Sequence, residues 1–261
     1  MSTLPTLFIS HGSPMLAIED SPARQFLQQL GTSLPRPKAI LVASAHWESS
    51  GGSAVSFTPQ PQTIHDFGGF PAALFSIQYP APGAPQLARQ VTALLDAAHL
   101  RVKRSEDRGL DHGAWVPLSL MFPAADIPVA QIALMRGAGP AEHERLGAAL
   151  STLREEDILI IGSGSLTHNL HEFRGQQLDA SAPSWVTEFA DWMDNTLMHG
   201  TADMLRDYRR HAPSAERNHP TEEHLLPLFV ARGAAGPTAH TERLHSSYQH
   251  GVLAMDVFAF S

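Results

Sequence analysis

Fifteen histidines and no cysteine bound the chemistry open to this chain of 261 residues. Without thiolates there is no disulfide and no cysteine-held zinc or iron–sulfur centre, so any metal must sit on His, Asp or Glu. Three histidines stand where such a site would be built. His11 follows the apolar run Leu7-Phe8-Ile9-Ser10, within SHGSP. His46 follows Ala39-Ile40-Leu41-Val42-Ala43, within SAHWES, and His168 lies past Ile158-Leu159-Ile160-Ile161 in the small-residue loop GSGSLTHN. Imidazole suits zinc, iron and copper and titrates near neutral pH, so each of these residues reads as a metal ligand or a proton carrier. A lone loop histidine is more often just a hydrogen-bonded side chain. Two at equivalent strand ends, with a third after another strand, favour a site. The HExxH signature of zinc hydrolases is absent, and GSGS lacks both the GK[ST] and the GxGxxG of phosphate-binding loops.

Further histidines sit beside acids. His65-Asp66 and Asp111-His112 each read as a ligand-orienting pair, a substrate contact or a solvated turn, and His65 and His112 are the candidate substrate contacts. His171 shares a face with His168 if a helix starts there. His219 and His224 are five residues apart, about 140° on a helix, so at most one of them faces a given site. Glu222 and Glu223 fit the first turn of such a helix, where its dipole favours acids. Trp47 and Trp115 read as core or pocket wall, and His99, His143, His199, His211 and His240 as surface residues.

The elements that must position these residues alternate between strand and helix. Strands are expected over 6–10, 38–45, 54–57, 100–103, 129–134 and 157–161, with strand-like pieces over 238–244 and 251–260. Ser21 caps a helix to Gly31 with Pro22 at its first position. Further helices are expected over 84–98, 115–121, 140–153, 183–211 and 220–230, the last opened by Pro220 and carrying His224. This order predicts a single-domain α/β fold over residues 1–261: a mainly parallel central sheet flanked by helices on both faces. Ligands of such sheets bind outside the carboxyl ends of the strands, which is where His11, His46 and the loop before His168 fall.

The net charge of −8 argues against nucleic-acid binding, since no basic stripe is present to neutralise phosphates. No run of about 18 apolar residues exists and the N-terminus has no signal-peptide pattern, so a cytoplasmic location and no membrane partner are expected.

Eight stretches, SHGSP, SAHW, HDFGGFP, YPAPG, DHGAWVPL, GSGSLTHNL, HPTEEHLLPL and SYQHGVLAM, together resemble the class III extradiol ring-cleavage dioxygenases. The nearest branch is similar to the DOPA 4,5-dioxygenase-like proteins, related to the catalytic LigB subunit of protocatechuate 4,5-dioxygenase. The resemblance spans nearly the whole chain. It implies one metal at the carboxyl edge of the sheet on His11, His46 and His224, with His168 as acid/base and His112 lining the substrate pocket. The wider superfamily uses two histidines and a carboxylate; here a third histidine replaces the carboxylate, which keeps Glu222, Glu223 and His219 in view as contributors. The implied reaction is non-haem Fe(II)-dependent cleavage of a catechol (DOPA, caffeate or a similar diol) by dioxygen to a muconic semialdehyde, in a monomer or small homo-oligomer. Zn(II) on the same histidines gives the competing readings, a hydrolase or a non-catalytic metal protein.

Overall fold

The computed structural model describes residues 3–173 and 175–261. Ten strands form in chain order: β1 (Thr6–Ser10), β2 (Ala39–Ser49), β3 (Ser53–Ser56), β4 (Val102–Ser105), β5 (Val129–Met135), β6 (Ile158–Gly164), β7 (Thr241–His245), β8 (Tyr248–Gln249), β9 (Leu253–Ala254) and β10 (Val257–Phe260). Eight of them build one sheet in the order β4-β3-β5-β2-β6-β1-β10-β7, while β8 and β9 pair separately. The four central strands, β5, β2, β6 and β1, are parallel. Antiparallel pairing enters toward the edges, at β3 with β5 and at β10 with β1 and β7. The result is an α/β fold with a mostly parallel sheet.

The central strands are apolar on both faces because helices cover both. Leu7 and Ile9 of β1, Ile40 and Val42 of β2, and Leu159 and Ile161 of β6 pack into one core with the helices Pro22–Ser33 and His112–Met121. Phe8, Leu41, Ala43, Ile158 and Ile160 face the other core, with the helices Pro85–Ala97, Ser184–His199 and Leu226–Ala235. This period of two with both sets buried is what a covered parallel sheet requires. The helix Leu226–Ala235 lies hard against β6: a Cβ on Gly162 would stand 2.0 Å from Pro227 O, and one on Gly164 2.0 Å from His224 O. Only glycine lets the backbones approach so closely.

Several expected boundaries move. The 183–211 segment divides into Ser184–His199, Ala202–Arg206 and Tyr208–His211, with Thr201 capping the second piece through the Met204 amide. The 140–153 helix stops at Ala148, and a 3-10 turn, Ser151–Glu156, follows. The helix expected from Trp115 starts at His112, because the Asp111 carboxylate caps it by accepting from Ala114 N. No helix opens at Pro220. It begins at Leu226 with Pro227 in its first turn, and His224 sits in the turn before it. His168 and His171 share no helix either: Asn169 Oδ1 accepts the His171 amide and the segment stays irregular. His143 is fully buried rather than at the surface. Among the described residues no helix is long and apolar enough to cross a membrane.

Candidate metal centre and its cavity

His11, His46 and His224 converge at the carboxyl edge of the sheet. In register, Ser10 of β1 stands opposite Gly164 of β6, and Ser44 of β2 opposite Ser163, so the residues that follow β1 and the bulge in β2 emerge at the same edge of the sheet. His11 is the residue after β1, tied by its amide to Gly164 O at 2.8 Å. His46 is delivered by a bulge. Ser44 pairs with Ala133 of β5 and Glu48 with Leu134, which leaves Ala45, His46 and Trp47 looped out of the ladder. Bulges of this kind re-aim a side chain next to a site. Gly113 lets the helix His112–Met121 close over the bulge, since a Cβ there would meet Ser44 Oγ at 2.5 Å and His46 Cδ2 at 3.0 Å. His224 comes from the turn whose carbonyl is pinned by Ser165 N at 2.8 Å.

An oxygen lies beside the outer nitrogen of each ring, and for His11 and His224 a hydrogen bond there decides which nitrogen faces inward. Pro117 lies inside the helix His112–Met121 and has no N–H, so Gly113 O loses its helical donor. Ser163 Oγ donates to that carbonyl instead. With its only proton committed, the Ser163 hydroxyl must accept from His11 Nδ1–H, 3.0 Å away. His11 Nε2 is thus a bare lone pair. His224 Nδ1–H donates to Glu223 Oε1 at 3.1 Å, and its Nε2 is buried with no hydrogen-bond partner. His46 Nδ1 faces Asp66 Oδ2 at 3.5 Å, and its Nε2 lies 3.0 Å from His11 Nε2. One ligand atom from each of the three rings falls within 4.8 Å of the other two. His11 and His224 present lone pairs inward, His46 Nε2 joins them once its proton lies on Nδ1 toward Asp66, and outer-nitrogen acceptors are what metal-bound histidines need. The residues therefore fit a metal ion.

Protonation agrees. Burial drives His11 and His224 well below the ordinary histidine range, and neighbouring imidazoles add to the effect. Burial, then the charge of His112, lowers His46 to about 4, against the pull of Asp111 and Asp66. All three are neutral at pH 7, the form a metal binds. Burial would raise the Glu223 and Asp66 carboxyls, but hydrogen bonds and charge from His224 and His112, respectively, outweigh it and hold both below the usual range.

His168 and His112 complete the site. The His168 ring stacks on His224 with centroids 3.5 Å apart and planes within 7°. Burial lowers it to about 4 despite the opposing charge of Glu223, so it is a neutral, proton-accepting imidazole. His112 is the first residue of its helix. Asp66 Oδ1 accepts from its amide at 3.0 Å and from its Nδ1 at 2.9 Å, and its ring centroid is 3.9 Å from that of His46. All of these rings except that of His11 border one cavity of about 460 Å³, also lined by Pro14, Phe67, Phe70, Leu170, Phe173 and Leu253.

The remaining candidates lie elsewhere. His65 Nε2 donates to Ile77 O at 3.1 Å and its ring packs against Trp115 and Phe75; Asp66, the next residue, borders the cavity and His65 does not. His219 is buried, with Nε2 on Leu166 O at 2.8 Å, and Glu222 accepts from the Tyr208 hydroxyl at 2.9 Å. Ser163 was readable only as part of the small-residue loop GSGS. Its place two residues beyond Ile161 puts it on the same face of β6, toward the helix His112–Met121, and that alternation was the available signal.

Comparison with known proteins agrees with this arrangement. Residues 5–258 match the family model described as the catalytic LigB subunit of aromatic ring-opening dioxygenase. The chain is 43% identical to the 4,5-DOPA dioxygenase extradiol of Beta vulgaris over 260 residues, covering 98% of this chain and 96% of that one. It is 41% identical to the protein of the same name from Escherichia coli (strain K12), covering 88% of this chain and 85% of that one. The crystal structure of an uncharacterized protein from Escherichia coli K12 superposes with a TM-score of 0.84 at 32% identity, covering 99% of this chain and all of that one. The chain belongs to the LigB family of aromatic ring-opening dioxygenases.

Proposed function

We propose that residues 1–261 form one catalytic domain that cleaves the ring of a catechol beside its diol, inserting both atoms of dioxygen to give a muconic semialdehyde, with Fe(II) on His11, His46 and His224. The observation that carries this reading is the convergence of one nitrogen from each of three neutral imidazoles beside a neutral fourth imidazole, His168, stacked on His224. Relatives named 4,5-DOPA dioxygenase extradiol support the reaction class. Iron(II) would supply the redox chemistry and the open positions that a diol and dioxygen need.

The other residues have separable tasks. His168, uncharged at neutral pH, accepts a proton from the diol and returns one to the opened product. His112 is oriented by Asp66 through its Nδ1, so its Nε2 edge is left for a substrate oxygen. Asp66 also faces His46, and one carboxylate thereby sets both a ligand and a substrate contact. The apolar walls exclude water, which strengthens each of these polar contacts. His65, expected at the substrate, instead supports the loop that carries Asp66, through Ile77 O.

The test is anaerobic loading of the metal-free protein with Fe(II), followed by DOPA, caffeate and simpler catechols, then oxygen. The expected result is one dioxygen consumed per diol and a product absorbing in the visible. Zinc-loaded protein, which has no redox chemistry, is expected to give neither. No product across the panel, together with zinc-dependent hydrolysis of esters or amides, would sink the dioxygenase assignment.

A further inference from the structure

The cavity has more room than a diol ring needs, and the extra room has one chemical character. A space of about 150 Å³ accommodates a benzene-sized ligand, so a cavity of about 460 Å³ leaves roughly two thirds of its volume for whatever the ring carries. Its polar groups belong to the metal side: His46, His112, His168, His224 and Asp66. Asp66 already holds His112 and faces His46. The remaining side-chain walls, apart from Ser13, are Pro14, Phe67, Phe70, Leu170, Phe173 and Leu253. No Arg or Lys lies among the described residues that border it.

The mouth continues the pattern. Leu170 is 62% exposed and Phe173 37%, the first being the most exposed large apolar side chain among the described residues, and both sit on the cavity. Apolar groups left open at the rim of a cavity mark a surface that a ligand covers. A carboxylate or ammonium held between these walls would lose water while the described residues around it offer no free counter-charge, whereas an alkyl or aryl group would gain apolar contact.

We infer that the site selects catechols whose substituent is uncharged and apolar, an alkyl chain or a second ring reaching toward Leu170 and Phe173, over catechols that carry a carboxylate or an amino-acid group. The inference rests on the catechol reading above. It runs against DOPA, the amino-acid diol for which the relatives are named.

Two measurements separate its failure from failure of that reading. Binding is measured calorimetrically on the zinc-loaded protein, which cannot turn over, with 4-propylcatechol, 3-(3,4-dihydroxyphenyl)propionate, dopamine and DOPA. Turnover of the same four is then measured on the iron-loaded protein by oxygen uptake. 4-Propylcatechol differs from the propionate only in its terminal group and is expected to bind more tightly and to show a kcat/KM about a hundredfold higher. Leu170→Arg and Phe173→Arg put a cation at the rim and are expected to narrow that ratio by raising the propionate. Equal binding of the pair, or tighter binding of the propionate or DOPA, would each overturn the inference. Absence of turnover with all four, while the binding order holds, would count against the dioxygenase reading alone.

Discussion

His143 and His219 are as deeply buried as His11 and His224, each 5% exposed or less, yet they do different work. His143 uses both nitrogens on backbone: Nδ1–H donates to Gly139 O at 2.8 Å and Nε2 accepts from Met135 N at 3.0 Å. It clamps the end of β5 to the helix Pro140–Ala148. His219 donates to Leu166 O, its ring sits against Phe189 and Tyr208, and it belongs to no group of three potential metal ligands among the described residues. In His11 and His224 one nitrogen is tied to an oxygen and the other points at a neighbouring imidazole. Burial of a histidine is thus common to fold and site. The inward convergence of ring nitrogens, each with an oxygen beside its outer nitrogen, belongs to the site.

The widest break in that comparison is between His46→Ala and His143→Leu. The first removes one of three inward nitrogens; metal content is expected to fall below stoichiometry and ring cleavage to vanish, read by metal analysis and oxygen uptake on the same sample. The second leaves Met135 N–H without its acceptor and is expected to cost about 1–3 kcal/mol of stability while metal content stays whole. If His143→Leu lost metal and His46→Ala kept it, His143 would be the site residue and His46 the structural one. His168→Ala comes next. A proton-transfer residue contributes about 10²- to 10⁴-fold, so kcat is expected to drop by that factor with metal content intact. Metal loss in this variant would make His168 a ligand instead.

Much of this was legible in the sequence, for reasons that can be named. The double-sided apolar runs of β1, β2 and β6 announced a covered parallel sheet, and the small residues after them announced a usable edge. His11 and His46 were placed by that logic alone. His224 was not, because its position depends on Gly162 and Gly164 admitting the backbone of 224–227 onto β6, a contact between segments some sixty residues apart. The helix-opening proline was misassigned for a related reason: Pro220 and Pro227 carry the same local signal, and only packing on β6 selects Pro227. The surface assignment of His143 failed because its polar neighbours in sequence say nothing of the β5 amide it meets. The same limit hid Ser163, whose role is set by a carbonyl on a distant helix.

A smaller effect, in acid, sharpens the comparison from the other side. His46, His168 and His219 have folded values near 4, from burial first, against about 6.5 in the unfolded chain. Below pH 6.5 the unfolded chain therefore takes up protons that the folded one declines until about pH 4. Stability of the metal-free protein is expected to be level above pH 6.5 and to fall progressively between 6.5 and 4. Urea midpoints at constant slope would show it. Metal should raise the midpoints above pH 6.5 and be released within the same window, since protons compete for His11, His46 and His224. Metal-free midpoints that stay flat down to pH 5 would mean these histidines are not buried in neutral form.

The finest effect is expected at Pro117, which touches no ligand. Its missing N–H is what frees Gly113 O for Ser163, and Ser163's committed proton is what fixes the His11 tautomer. Pro117→Ala restores a helical donor to Gly113 O. A carbonyl has two lone pairs, so the Ser163 contact is weakened rather than abolished. Fold stability should rise slightly, because a helical hydrogen bond returns. Metal affinity should fall by a few-fold, less than the roughly 10- to 100-fold typical when an outer-nitrogen acceptor is deleted outright, as Ser163→Ala would do. A competition titration against a chelator resolves both. If Pro117→Ala and Ser163→Ala weaken metal binding in that order of size, the helix backbone and the metal site are linked through one hydroxyl. If Ser163→Ala leaves the affinity unchanged, the anchored outer nitrogen of His11 is a packing detail, and the contrast with His143 narrows to the inward nitrogens alone.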